Sequence, residues 1–161
     1  VILLILLCIA ALIIAFDTQR WGISPMPTSR KAKKIILELA GEGEVYELGS
    51  GFGSLAFSLS RRGRVKAYEM ALIPYLISKM LPSKNLKITR KDFFKESLSD
   101  AKVIVCYLYP GAMARLKEKF KKELQEGAIV ISNSFCIPGW KPTKVIEVGD
   151  FFRSEIYLYS L

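Results

Sequence analysis

Three carboxylates and a run of glycines mark where chemistry could occur in this chain. The segment V-Y-E-L-G-S-G-F-G-S places Glu47 two residues before Gly49, with Gly51 and Gly53 following at alternate positions. Its pattern reads as strand, tight turn and helix, with glycines that let the backbone turn at positive φ and come close to a ligand. A dinucleotide fingerprint would need glycine where Ser54 stands, and the lysine of a phosphate-binding loop is missing. An acidic side chain at the strand end suits a cationic amino-acid moiety better than a pyrophosphate. Glu69 follows 22 residues after Glu47, at the end of a second strand, where a carboxylate can accept both hydroxyls of a ribose. Asp92, with Phe93 beside it, follows a third strand and offers an acceptor and a ring to an adenine. Three such groups at the carboxyl ends of successive strands define one ligand crevice.

The elements that must position them read as follows. Thr28 can cap a helix over residues 29–39, which the Gly41–Gly43 pair ends. Strands are predicted over residues 45–48, 64–69, 86–89, 102–109, 128–132, 144–148 and 155–159. Helices are predicted over 54–61, 72–80 and 113–124. The stretch K-V-I-V-C-Y-L-Y is nearly continuously apolar, as a central parallel strand should be. Strands alternating with helices predict an α/β fold, a Rossmann-like open seven-strand sheet that is mostly parallel. The last two strands have no helix between them, so they form a hairpin and the C-terminal strand runs antiparallel.

Composition removes most other chemistries. The 161 residues contain no histidine, which excludes Ser-His-Asp and Cys-His catalysis and histidine metal sites. Cys8, Cys106 and Cys136 form no C-x-x-C pair, so neither a disulfide framework nor a metal site is expected.

Beyond the glycine loop, four segments carry a resemblance. They are P-T-x-x before the first domain helix, Y-L-Y-P-G at 107–111, L-x-x-K-F-x-x-E-L-x-x-G-A at 116–128 and S-N-S-F-C-I-P-G-W at 132–140. Together, over roughly residues 25–161, they resemble the class I, seven-strand S-adenosylmethionine methyltransferases. Within that class they resemble a branch of protein-lysine methyltransferases. That branch includes mitochondrial enzymes acting on the ATP synthase c subunit and the adenine nucleotide translocator, and an archaeal relative.

The resemblance implies S-adenosyl-L-methionine as cofactor. Glu47, Gly49, Ser50, Gly51 and Gly53 would hold its methionine moiety, Glu69 its ribose, and Asp92 with Phe93 its adenine. Thr28 sits where the family's pre-loop approaches the cofactor. Relatives commonly carry aspartate at the position of Phe52, so one carboxylate contact is absent. Methyl transfer from a sulfonium is an in-line displacement governed by positioning, and it requires no histidine. An acceptor lysine must be neutral, which an aromatic-lined slot promotes by desolvating its ammonium. Tyr107, Tyr109 and Pro110 at the end of the central strand, and Ser132 at the end of the next, are the candidates for lining that slot. Ordinary core packing is the competing reading of the aromatics. A small-molecule or lipid methyltransferase and a non-catalytic cofactor-binding protein remain the alternative functions.

Residues 1–16 contain no polar side chain and read as a transmembrane anchor, with 17–27 a linker and 28–161 the methyltransferase domain. A signal peptide and a buried helix are the other readings of the run. The basic flank of Arg20, Arg30, Lys31, Lys33 and Lys34 would place the domain on the cytoplasmic side of the membrane. The net charge of +9 suits either nucleic acid or anionic lipid. Tyr107-Leu108-Tyr109-Pro110 stands where nucleic-acid methyltransferases carry their Asn/Asp-Pro-Pro-aromatic tetrad. The expected partners are therefore the bilayer and a membrane protein substrate, not nucleic acid or metal.

Overall fold

Seven strands form one sheet in the order β3-β2-β1-β4-β5-β7-β6. They are β1 (Val45–Leu48), β2 (Val65–Tyr68), β3 (Leu86–Thr89), β4 (Val103–Cys106), β5 (Ile129–Asn133), β6 (Lys144–Glu147) and β7 (Glu155–Ser160). The computed structural model describes residues 1–21 and 26–161. β1 to β5 are parallel, and β7 is inserted antiparallel between β5 and β6. All four β1 side chains are buried, as the centre of a doubly covered sheet requires.

One face of the sheet is covered by α2 (Arg30–Ala40), α3 (Ser54–Leu59) and α4 (Leu72–Ser78), the other by α5 (Pro110–Glu123). Ala32, Ile36 and Ala40 repeat every four residues along α2 and bury the stripe that packs on Val45, Val105 and Ile131. On the far face Met113, Leu116 and Phe120 of α5 pack against Leu48, Ile104 and Val130.

Several boundaries differ from expectation. β4 stops at Cys106 and α5 starts at Pro110, because proline has no N–H for a ladder but its fixed φ suits the first helical position. Tyr107 and Tyr109 therefore lie on a strand-to-helix turn rather than on a strand. The cap of α2 is Ser29, not Thr28. Ser29 Oγ accepts from Ala32 N at 3.2 Å and donates to Asp150 Oδ2 at 2.7 Å, tying the helix start to the β6–β7 turn.

The apolar run forms α1 (Ile2–Trp21), which continues through the first part of the expected linker and lies beside α4. Residues 22–25 of that linker lie outside the described residues. The uninterrupted apolar part, residues 2–16, is about 22 Å long, short of the ~30 Å hydrocarbon core of a bilayer. Among the described residues no helix is long and apolar enough to cross a membrane. The expectation of a spanning anchor over residues 1–16 is therefore not supported among the described residues.

Because Ser29 serves both as cap and as latch to Asp150, Ser29→Ala should lower the unfolding free energy by about 1–2 kcal/mol in urea titrations. Thr28→Ala should change it by less than about 0.5 kcal/mol.

Candidate active site

The site is built where β1 and β2 end side by side. Gly49 N and Ser50 N both donate to Tyr68 O, at 2.9 and 3.0 Å, so the glycine loop is stitched to the end of β2 as soon as it leaves β1. Gly49 has φ +77, and a Cβ there would fall 2.8 Å from Leu108 Cδ2, so this glycine admits the chain that leaves β4. Gly51 has φ +55, yet a Cβ there would meet no protein atom within 4 Å. Its side of the loop is open, which is the space a ligand backbone would use.

Glu69 holds the loop in this shape. Its Oε2 accepts from Gly51 N and its Oε1 from Ala71 N, each at 2.7 Å. The carboxylate thus bridges the glycine loop and the start of α4 while being only 2% exposed. Carboxylate oxygens accept more than one hydrogen bond each, so this role is compatible with ribose hydroxyls as further donors.

Glu47 sits at the end of the neighbouring strand, 5% exposed. Burial, reinforced by the nearby Glu69 charge, pushes its carboxyl well above the usual carboxylate range, and Lys33 partly offsets the rise. Glu47 Oε2 and Ser50 Oγ are buried with no hydrogen-bond partner among the described residues. Such groups are costly unless something donates to them. A ligand bearing an ammonium and a ribose, as S-adenosylmethionine does, answers each of these features in turn.

The remaining expected residues fall into distinct roles. Asp92 Oδ1 accepts from Phe94 N at 3.0 Å and turns the chain after β3. The Phe93 ring is 4% exposed in the core, its centroid 4.6 Å from that of Phe94. Asp92 and the backbone of this turn, not the Phe93 ring face, are the groups this segment presents. Thr28 is half-buried in the segment leading to α2. Ser132 is fully buried, and its Oγ donates to Phe135 O, so it positions the loop after β5 instead of meeting a substrate. Tyr107 stacks on Phe135 with centroids 6.2 Å apart. Tyr109 is 36% exposed, and its ring lies over Gly111, where a Cβ would fall 2.7 Å from Cε2. Pro110 starts α5 and so fixes the direction of that turn. The Cys106 thiol, pushed up to about 12 by burial, is no nucleophile.

Three further features, one at the glycine loop and two on the β6–β7 hairpin, were not legible in the sequence. Lys33 reaches Ser54 Oγ at 2.6 Å, although in sequence it is one of several lysines on a basic helix. Tyr157 donates to Glu155 two residues earlier on the same face of β7, a hydrogen bond that raises its phenol to about 12. Phe151 and Phe152 project from the β6–β7 turn, 95% and 65% exposed.

The geometry makes two predictions. Glu69→Gln replaces one acceptor oxygen by an NH2 that faces a backbone donor, so it should destabilise the ligand-free protein by about 1–3 kcal/mol in urea titrations. Glu47 gives the second. A carboxyl whose folded pKa is raised keeps its proton above the pH at which the unfolded chain loses it. This group therefore favours the ligand-free fold at low pH and opposes it as pH rises through that window. A ligand ammonium favours the ionised form, so binding should release a proton there and affinity for S-adenosylhomocysteine should rise with pH. Calorimetry in buffers of different ionisation enthalpy should detect that proton, and Glu47→Gln should abolish it.

Comparison with known proteins bears on the same residues. Residues 47–144 match the family described as the ANTKMT methyltransferase domain. A protein-lysine N-methyltransferase from Saccharolobus islandicus is 32% identical over 148 residues, covering 84% of this chain and 92% of that protein. The adenine nucleotide translocase lysine N-methyltransferase of Mus musculus is 29% identical over 130 residues. That match covers 76% of this chain but 57% of the mouse protein, so the vertebrate relative is considerably longer. Among solved structures, an RNA methyltransferase from Salinibacter ruber in complex with S-adenosyl-L-homocysteine superposes with a TM-score of 0.77 at 23% identity. It covers 84% of this chain and 93% of that one, and it supports the fold. With the glycine loop, the buried pair Glu47 and Glu69 and this match in place, the chain belongs to the ANTKMT methyltransferase domain family of class I, S-adenosylmethionine-dependent methyltransferases.

Proposed function

We propose that the chain, through a domain spanning residues 28–161, methylates lysine side chains of a protein held at a membrane surface. The archaeal relative, matched over 92% of its length, is named a protein-lysine N-methyltransferase, and the mouse relative a lysine N-methyltransferase of a translocase. The observation in this chain that supports the same acceptor is the β4–α5 turn. It sets Leu108 against Gly49 of the glycine loop, while the flanking Tyr107 stacks on Phe135 and the flanking Tyr109 lies over Gly111.

S-adenosylmethionine supplies a methyl group on a sulfonium, an electrophile that needs only an oriented, neutral amine. The chain's own part is to orient and to desolvate. Glu47 and Ser50 would take the ammonium of the methionine moiety, and Glu69 the ribose. The half-exposed Tyr109 ring would flank the entering side chain, removing water from its ammonium while its π face tolerates the remaining charge.

The membrane component rests on exposed apolar surface. Ile2, Leu3, Leu4, Leu7, Leu12 and Phe16 of α1 are exposed, and Phe151 with Phe152 crowns the turn latched to Ser29. An apolar arm of this kind would partition into a bilayer through its exposed side chains, with lysines and arginines favouring anionic lipid. It would raise the effective concentration of membrane-held substrates.

Mass spectrometry of membrane proteins from cells with and without the enzyme should find a lysine methylation that disappears. A missing mark on a lipid or a small metabolite would instead establish the alternative acceptor. Tyr109→Ala should lower turnover by about tenfold or more while leaving affinity for S-adenosylhomocysteine within about twofold. An equal loss of thermal stability would show that the ring is only packing.

A further inference from the structure

We infer that Lys33 holds the carboxylate of the cofactor's methionine moiety. The inference rests on the cofactor reading above and goes beyond the glycine-loop residues that reading uses. Methionine carries two charges, and the loop described so far answers only one of them. Glu47 and Ser50 provide buried acceptors without donors, which suit the ammonium. The carboxylate needs the opposite, a cation with a free donor, in a region where Glu47 and Glu69 both repel it.

Lys33 meets that need from outside the loop. It lies on α2 next to Ala32, whose side chain is buried against the sheet, so its own side chain leaves the helix at the edge of the packed stripe. Its Nζ reaches across to the residue that follows the glycine run, 2.6 Å from Ser54 Oγ and 3.3 Å from Ser54 O. An ammonium has three donors, and these two contacts involve a single residue. Lys33 is also the cation whose charge is felt at Glu47, where it lowers the carboxyl against the effects of burial and of Glu69. Three other cations are engaged elsewhere: Lys31 with Gly149 O, Arg62 with Leu37 O, and Lys66 with Glu44 and Tyr46. Phe52, within the loop itself, offers a carboxylate nothing. Lys33 and Glu47 would therefore grip the two ends of the amino acid from opposite signs of charge, with Ser54 keeping the long lysine side chain oriented.

Calorimetry on the full chain tests this with two ligands. S-adenosylhomocysteine carries the amino-acid group, and 5′-methylthioadenosine keeps the adenosine and thioether without it. Lys33→Met should weaken S-adenosylhomocysteine binding by about tenfold or more and leave 5′-methylthioadenosine within about twofold. Lys33→Arg should recover most of the loss, because a cation with several donors is restored. Unchanged S-adenosylhomocysteine affinity in Lys33→Met would overturn the inference. So would an equal loss of both ligands with a lowered melting temperature, since Lys33 would then only brace the loop. If the unaltered protein bound neither ligand, the cofactor reading would fall, and that result is distinguishable from a failure of Lys33 alone.

Discussion

The structure turns on two carboxylates buried side by side at the ends of adjacent parallel strands. Glu69 is satisfied by the backbone: one oxygen holds the glycine loop and the other the start of α4. Glu47 is left with a buried oxygen that nothing donates to. Burial, with the Glu69 charge beside it, raises the cost of ionising Glu47. An unmet buried acceptor of this kind is a binding preference built into the protein. It favours a ligand that brings a cationic donor, and it discriminates against phosphate.

The rest of the architecture serves this pair. β1 is central and buried on both faces, so the strand that delivers Glu47 is among the most constrained parts of the chain. Leu108 approaches Gly49 closely and couples the end of β4 to the glycine loop. The same turn carries Tyr107 and Tyr109, so their placement is tied to that of the glycine loop. On the other side, Ser29 joins the start of α2 to Asp150, and two backbone N–H groups and the Ser29 hydroxyl hold Asp150 ionised. That latch sets the helix from which Lys33 reaches Ser54.

Much of this was legible in the sequence because the signals were local. Residues 45–53 announced a strand ending in a glycine turn, and Glu69 lay at the predicted end of the next strand. The antiparallel last strand followed from the absence of a helix before it. What could not be read depended on contacts between distant segments. The sequence points to Thr28 as the cap, whereas Ser29 accepts from Ala32 N and also donates to Asp150, 121 residues away. Ser132 stands at a predicted strand end, but its hydroxyl donates to Phe135 O where the chain returns. Phe93 reads in sequence as a ring beside an acid, and packing with Phe94 and Leu98 takes it into the core. Lys33 was one basic residue among several until the position of α3 made it different from the others.

The most direct test of the account is an experimental structure of the protein with S-adenosylhomocysteine bound. Glu69 should keep its hydrogen bonds to Gly51 and Ala71 while accepting from the ribose hydroxyls, and the ligand ammonium should lie within hydrogen-bond distance of Glu47. A ligand bound away from the ends of β1 and β2, or a Glu69 side chain that releases the glycine loop on binding, would contradict it.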